Sequence, residues 1–449
     1  MKPGARIRAA IEVIEQISEH HQTAARALSD WGKSHRFAGS GDRSAIGTIV
    51  YGALRRRNSI AAAFGDDTPR ALALGAADKA IGLSAQDLAK AADGSVHSIE
   101  PLNQTELSAL ATLAEWGTNR VGTTDTDQQY PSHVLGDFPD WLTASVGRAF
   151  GDRAVPEMMA LANRAPIDLR VNALKADREK LLHAFSKYQA ETGPIAPNAV
   201  RLPVPPSGKR APNVEAETAH GKGWFEIQDA GSQIAAAIAA AKPREQVLDL
   251  CAGAGGKTLA LAAAMHNTGQ IYAYDRDRVQ LRPIFERLKR AGVRNVQVMD
   301  AADTAARDQL QGRFDLVLVD APCTGSGTWR RKPDAKWRLS QQAMDKRITE
   351  QQAALADAAP MVRLGGRLVY VTCSVFAEEN VDQVRWFVEQ HKNYKTTSIA
   401  AHWAAAFPDG PSPQNLAIGP DDIGVQLSPA RTSTDGFYIA VLQRTDEPG

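Results

Sequence analysis

From Trp224 onward the chain repeats one pattern, a short apolar run followed by a helical stretch, and this repetition restricts its possible folds more than any other feature. The runs are QVLDLC, GQIYAYD, NVQVMD, FDLVLVDAP, GGRLVYVTCS and GFYIAVLQR. Apolar strands of this length with helices between them are covered on both faces, so the pattern predicts β-α-β units building a parallel sheet. Ligands of such sheets bind beyond the carboxyl ends of the strands. Candidate functional residues are therefore sought where these runs end.

Ahead of Trp224 the alternation is missing. Ile7, Ile11, Ile14 and Ile17 recur at three- and four-residue steps, and Ile46, Ile49, Val50 and Leu54 form a second stripe that runs into Arg55, Arg56 and Arg57. Both are amphipathic-helix patterns, and the sequence stays alanine-rich and helical to about Gly117. Residues 117–139 are polar and turn-rich and read as a linker. A short strand, IDLRVNAL, follows; residues 191–213, rich in Pro and Gly, read as loop or edge strand. The expected organisation is a helical domain over residues 1–120, a small α+β domain over 140–222 and an α/β domain over 223–449. A chain of 449 residues is long enough for such a division.

Composition narrows the partners. The net charge is only +1, so affinity for nucleic acid has to come from local clusters of cations. Three cysteines, with no short spacing between them, argue against a disulfide framework and against a metal site. Glu12 and Glu15 interrupt the apolar residues near the start, and no run reaches membrane-spanning length. A soluble, cytoplasmic protein without a membrane partner is expected.

VLDLCAGAGGKT passes from a strand through Ala252, Gly253, Ala254, Gly255 and Gly256 towards a helix. Lys257 and Thr258 suggest a nucleoside-triphosphate loop, but Cys251 stands where that loop needs its first glycine. The dinucleotide fingerprint fails too, because Thr258 replaces its third glycine. What remains is a glycine turn that lets backbone approach a nucleoside, with helix N–H groups aimed at it. Asp275, twenty positions after Gly255, falls where an acidic residue hydrogen-bonds ribose hydroxyls. Asp300, ending NVQVMD, is placed to meet an adenine amino group. A nucleoside cofactor without a pyrophosphate clamp fits S-adenosyl-L-methionine better than NAD.

QDAGSQ, DLCAGAGGKT, FDLVLVDAPCTGSGTWRRKPDAKW and LVYVTCSVFAEEN together resemble the RNA cytosine-5 methyltransferase family, the bacterial ribosomal enzymes and their eukaryotic nucleolar Nop/Sun relatives. APIDLRVNALK resembles the segment preceding the catalytic domain in that family, and GDRSAIGTIVYGALRRR resembles its helical, NusB-like domain. One departure is visible: the family's usual Ala-Ala-Pro-Gly-Gly-Lys is here Ala252-Gly253-Ala254-Gly255-Gly256-Lys257. The resemblance implies a Rossmann-like S-adenosylmethionine-dependent methyltransferase domain, an all-helical RNA-binding N-terminal domain and a small α+β middle domain that also binds RNA. The implied substrate is RNA, ribosomal and from the small subunit (16S). A transfer-RNA methyltransferase and a non-catalytic ribosome-assembly clamp are the alternatives, and oligomeric state is not readable.

Carbon 5 of cytosine is a poor nucleophile. A thiolate added at carbon 6 makes it reactive, and a base must then remove the carbon 5 proton. The resemblance implies Cys373 as nucleophile and Cys323 as the residue that resolves the adduct; the DNA cytosine-5 enzymes use the Pro-Cys thiol instead, and sequence leaves both assignments open. Asp320 would bind the cytosine edge while bordering the cofactor site, and Lys257 is a candidate for the positive charge that favours a thiolate. Cys251 reads as packing beneath the cofactor. After Cys323, the segment TWRRKPDAKWR carries Arg330, Arg331, Lys332, Lys336 and Arg338 among two tryptophans, cations for phosphates beside rings for stacking, and reads as an RNA path.

Overall fold

The computed structural model describes residues 1–119, 130–206, 209–303, 307–411, 417–418 and 421–446. Residues 120–129, in the middle of the stretch read as a linker, lie outside the described residues. The chain divides into two compact units. One comprises Met1–Arg164, Pro205–Ala211 and Trp329–Leu339; the other comprises Ala165–Val204, Pro212–Thr328 and Ser340–Gly449.

The first unit is helical. Its helices Pro3–His20, Ser40–Arg55 and Pro69–Ile81 bury the isoleucine stripes, with Ile7, Ile14, Ile46 and Ile49 at most 1% exposed. Alanines on the facing surfaces let the helices approach closely. Caps define the ends: the Thr23 hydroxyl accepts the Arg26 N–H, Ser84 and Asp87 form a capping box, and Gly65 and Gly82 end their helices at positive φ. The unit continues beyond residue 129 because Asn58 Nδ2 donates to the carbonyls of His133 and Phe138, and the Asp137 carboxylate accepts the N–H and hydroxyl of Ser59.

The second unit holds two sheets. The smaller is antiparallel, in the order β2 (Glu191–Thr192), β3 (Ala199–Leu202), β1 (Ile167–Val171), β4 (Phe225–Ile227). It does not stand apart. Buried Asp168 of β1 accepts two hydrogen bonds from Arg201 and one from the N–H of Ala230, the first residue of helix Ala230–Ile238.

The larger sheet has nine strands among the described residues. Five are parallel, in the order β9 (Val362–Thr372), β8 (Phe314–Asp320), β5 (Gln246–Asp249), β6 (Gln270–Ala273), β7 (Val296–Val298). Antiparallel β13 (Phe437–Arg444) extends it beside β9, and β10 (Tyr394–Thr396) and β12 (Gly424–Leu427) share the outer edge of β13; β11 (Ala417–Ile418) follows β12. Alternate residues go to opposite faces, as strand geometry requires. Val247, Leu316, Leu318 and Val369 pack under helices Ala230–Ile238 and Ile399–Ala406, while Leu248, Val317, Val319 and Tyr370 pack under Gln341–Ala358 and Val381–Gln390. The chain leaves β5 towards β6 and later returns to β8 on its other side, so the strand order reverses at β5. In sheets of this kind ligands bind at such a reversal, which here lies at the carboxyl ends of β5 and β8.

Candidate active site at the strand ends

Register sets the level of the site. Asp249 pairs with Leu318 on one side and Ala273 on the other, Ala273 with Val298, and Leu318 with Val369. Two residues beyond this shared rung come Cys251, Asp320, Asp275, Asp300 and Val371. The predicted carboxylates thus emerge at one height along the sheet because each lies two residues beyond the same rung.

The glycine turn follows β5. Gly253 and Gly255 have φ of 50° and 83°, a region where a side chain would be strained, and a Cβ at Gly255 would run into Ile284 at 2.5 Å. At Gly253 nothing lies within 4 Å of such a Cβ, so the turn leaves an open cradle there. Helix Gly256–Ala264 starts immediately after, its free N–H groups facing the strand end. The turn is tied down from behind: Arg287 Nη1 donates to the carbonyl of Ala254 at 2.6 Å while its other nitrogens pair with Glu226. Asp275 accepts the N–H groups of Gly253 and Asp277 at 2.8 and 2.7 Å, each on a separate oxygen, leaving lone pairs for hydroxyls. Asp300 is exposed, accepts the Ala302 N–H and pairs with Arg278; the Ala302 bond holds its carboxyl below the usual range. These residues fit a nucleoside.

At β8, Lys257 Nζ reaches Asp320 at 2.6 Å. The lysine is 6% exposed and the carboxylate 33%, so the pair presents the acid, backed by a desolvated cation, at the strand ends. Three residues beyond Asp320 and two beyond Val371, Cys323 and Cys373 place their sulfurs 3.3 Å apart. Bonding to Cys373 comes first, and burial second, in pushing the Cys323 thiol well above its ordinary pKa. Either sulfur can be the donor of this contact. Burial likewise raises the Cys251 thiol, in agreement with a packing role.

Two carboxylates of the site were not anticipated. Asp249 is fully buried at the end of β5, and desolvation pushes it up to about 7. Glu379, also fully buried, is bonded to residues next to both cysteines. A charged residue closing an otherwise apolar run was the available signal for Asp249.

The basic segment belongs to the helical unit, and only part of it faces outward. Arg331, Lys332 and Arg338 are exposed. Arg330 and Lys336 are 5% and 2% exposed, which corrects their reading as phosphate contacts. Lys336 lies on the inner side of the short helix Pro333–Arg338, donating to the carbonyls of Asp137 and Arg55, and burial lowers its pKa to about 8. Trp329 is 1% exposed and Trp337 donates to the carbonyl of Leu54, so both rings serve packing. Among the described residues there is no cluster of metal-ligating side chains and no helix long and apolar enough to cross a membrane.

The chain is similar to known proteins. The model of the 16S rRNA methyltransferase RsmB/F family matches residues 236–443, and that of the RsmF/B-like ferredoxin-like domain matches 138–207. Probable ribosomal RNA small subunit methyltransferase B of Synechocystis is 30% identical over 68% of this chain and 67% of its own. Ribosomal RNA small subunit methyltransferase B of Yersinia pseudotuberculosis is 33% identical over 69% and 67%. The crystal structure of PH0851 superposes with a TM-score of 0.70 at 26% identity, covering 99% of both chains. NSun6 from Pyrococcus horikoshii, solved with SFG, shares the fold at a TM-score of 0.60 and 22% identity, over 70% of this chain and all of that one.

Proposed function

We propose, from the premise that this chain belongs to the RsmB/RsmF family of rRNA methyltransferases, that it methylates carbon 5 of a cytosine in 16S ribosomal RNA through a covalent cysteine adduct, with S-adenosyl-L-methionine as donor. The observation that carries this reading is the pair of sulfurs 3.3 Å apart at the carboxyl ends of the strands, where Lys257 meets Asp320.

When bound, the cofactor supplies an electrophilic methyl group on a sulfonium. The chain's own residues do the rest. Asp275 and the turn Ala252–Gly256 hold a nucleoside, with Asp300 beyond. Asp320, ion-paired with Lys257, binds the cytosine edge and favours a proton on ring nitrogen 3, which draws electrons from carbon 6. Cys373 then adds as thiolate: a sulfur–carbon bond forms, and the electron pair of the 5,6 double bond becomes available at carbon 5. The choice of Cys373 over Cys323 as the attacking thiol follows the family resemblance, and their 3.3 Å contact puts both within reach of one base. After methyl transfer Cys323 serves the breakdown. The carbon 5 proton leaves to a base, the double bond re-forms and Cys373 departs as thiolate.

Arg331, Lys332 and Arg338 offer phosphate contacts to the RNA, within the helical unit whose own role is RNA binding. Ribosome assembly places this work in the cytoplasm. Bisulfite sequencing of small-subunit rRNA from cells lacking the protein tests the proposal: one cytosine should lose protection. If every protected cytosine keeps its signal, the assignment is wrong.

A further inference from the structure

Glu379 is a carboxylate with no exposed surface and, among the described residues, no ion-pair partner. Such a group is costly to bury unless its lone pairs are satisfied. Here four donors satisfy them. One oxygen accepts the N–H of Thr324 at 2.8 Å and Nε2 of Gln351 at 3.0 Å; the other accepts the hydroxyls of Thr324, at 2.5 Å, and Ser374. Gln351 Nε2 also donates to the carbonyl of Pro322 at 2.9 Å. The residues before and after Cys323 and the residue after Cys373 are thus joined through one side chain. Further ties between the two loops are a Ser326–Ser374 hydroxyl pair at 3.0 Å, the Val375 N–H to the Ser326 hydroxyl at 2.9 Å, the Gly327 N–H to the carbonyl of Cys373 at 2.9 Å and the contact of the thiols themselves.

We propose that Glu379 is a positioning residue that sets the separation of the two thiols by holding both of their loops on a single carboxylate. The proposal deepens the two-thiol reading of the site and rests on it for its catalytic consequence. Its role is geometric rather than ionic. A glutamine at 379 could accept both N–H donors on its oxygen and donate through its amide to the two hydroxyls, which can rotate to accept. An alanine could make none of these bonds.

The test uses the full chain as wild type, Glu379→Ala and Glu379→Gln, with two readouts. The first needs neither RNA nor cofactor: diamide oxidises the two thiols to a disulfide, its azo bond taking up both hydrogens, and peptide mass spectrometry times the link between 323 and 373. The second is methyl transfer to unmethylated small-subunit rRNA. Glu379→Ala should slow the disulfide about tenfold and lower kcat about a hundredfold, with KM for RNA within about twofold, as expected when reacting groups are misplaced. Glu379→Gln should stay within about threefold of wild type in both, since its hydrogen bonds are retained. Wild-type oxidation rates in Glu379→Ala would overturn the proposal, as would a glutamine variant as impaired as the alanine. If the alanine variant lacks a cooperative melt, Thr324→Val and Ser374→Ala each remove one hydroxyl tie; unchanged oxidation in both overturns the proposal equally. A wild-type chain whose oxidation depends on residue 379 but which transfers no methyl refutes the reaction and supports the positioning role.

Discussion

Thr258 donates its hydroxyl to one oxygen of Asp249 at 2.6 Å, while the other oxygen of Asp249, buried in the same place, has no hydrogen-bond partner among the described residues. Burial without full compensation is why this carboxyl titrates at about 7 rather than near its ordinary 3.8. The sign of its effect on stability follows. Below about pH 4 the group is protonated in folded and unfolded chains alike. Between there and pH 7 only the folded chain keeps the proton, so folding is increasingly penalised as pH rises. Asp249→Asn should therefore match wild type in urea unfolding near pH 4 and exceed it by on the order of a few kcal/mol at pH 8, in the cofactor-free protein. Parallel profiles for the two proteins would show that Asp249 is ionised in the fold throughout.

The cysteine roles are separable by trapping. Cys323→Ala should add to carbon 6 and accept the methyl group but fail to collapse, accumulating a protein–RNA adduct that survives denaturing electrophoresis and shrinks with ribonuclease. Cys373→Ala should give none. The reverse pattern assigns attack to Cys323, and wild-type turnover in both mutants would leave the 3.3 Å contact with only a packing meaning.

Asp275→Ala should weaken S-adenosylmethionine binding by about 1.5–3 kcal/mol, roughly tenfold to a hundredfold, through lost charge-assisted hydrogen bonds. Part of that loss arises indirectly, since Asp275 also holds the N–H of Gly253. Calorimetric titration with unchanged affinity in a folded variant would remove Asp275 from the cofactor site.

Exposed and buried cations of one segment should behave differently. Replacing Arg331 and Lys332 by alanine should weaken RNA binding and reduce the salt slope by about 0.7 for each single-strand phosphate that is no longer neutralised. Lys336→Met, which replaces a desolvated ammonium by an apolar chain of similar length, should leave the slope unchanged and alter only the melting of the protein. Equal salt slopes for all three proteins would move the RNA path elsewhere.

Legibility followed burial pattern. Apolar runs such as FDLVLVDAP announce their strands, and the motif residues at their ends arrive where the pattern places them, because register carries Asp320, Asp275 and Asp300 to one height. Tyr394–Thr396 and Gly424–Leu427 are too short to announce themselves and form only because β13 offers an edge. TWRRKPDAKWR misled for a related reason. Six residues of helix with no aliphatic stripe hide which side is inward, so buried Lys336 looked like its exposed neighbours. Asp249 and Glu379 gain their meaning from long-range neighbours that no local pattern displays. The bond of Asp168 to the N–H of Ala230, which ties the middle segment to the helix that follows it, is likewise invisible in the sequence.

Strand β13 carries a consequence for biosynthesis. Tyr438 pairs with Thr372, the residue immediately before Cys373, so the strand that delivers this thiol borders on chain made some sixty-five residues later. A nascent chain emerges from its amino end. Until Phe437–Arg444 appears, the edge of β9 over Arg367–Thr372 has unpaired N–H and carbonyl groups, a surface open to wrong partners. Cys373 thus stays on an unfinished edge until the last stretch of translation. Methylating competence should switch on abruptly when that last strand zips into place, and a ribosome stalled before it would display a folded helical unit attached to an inert, aggregation-prone half-sheet.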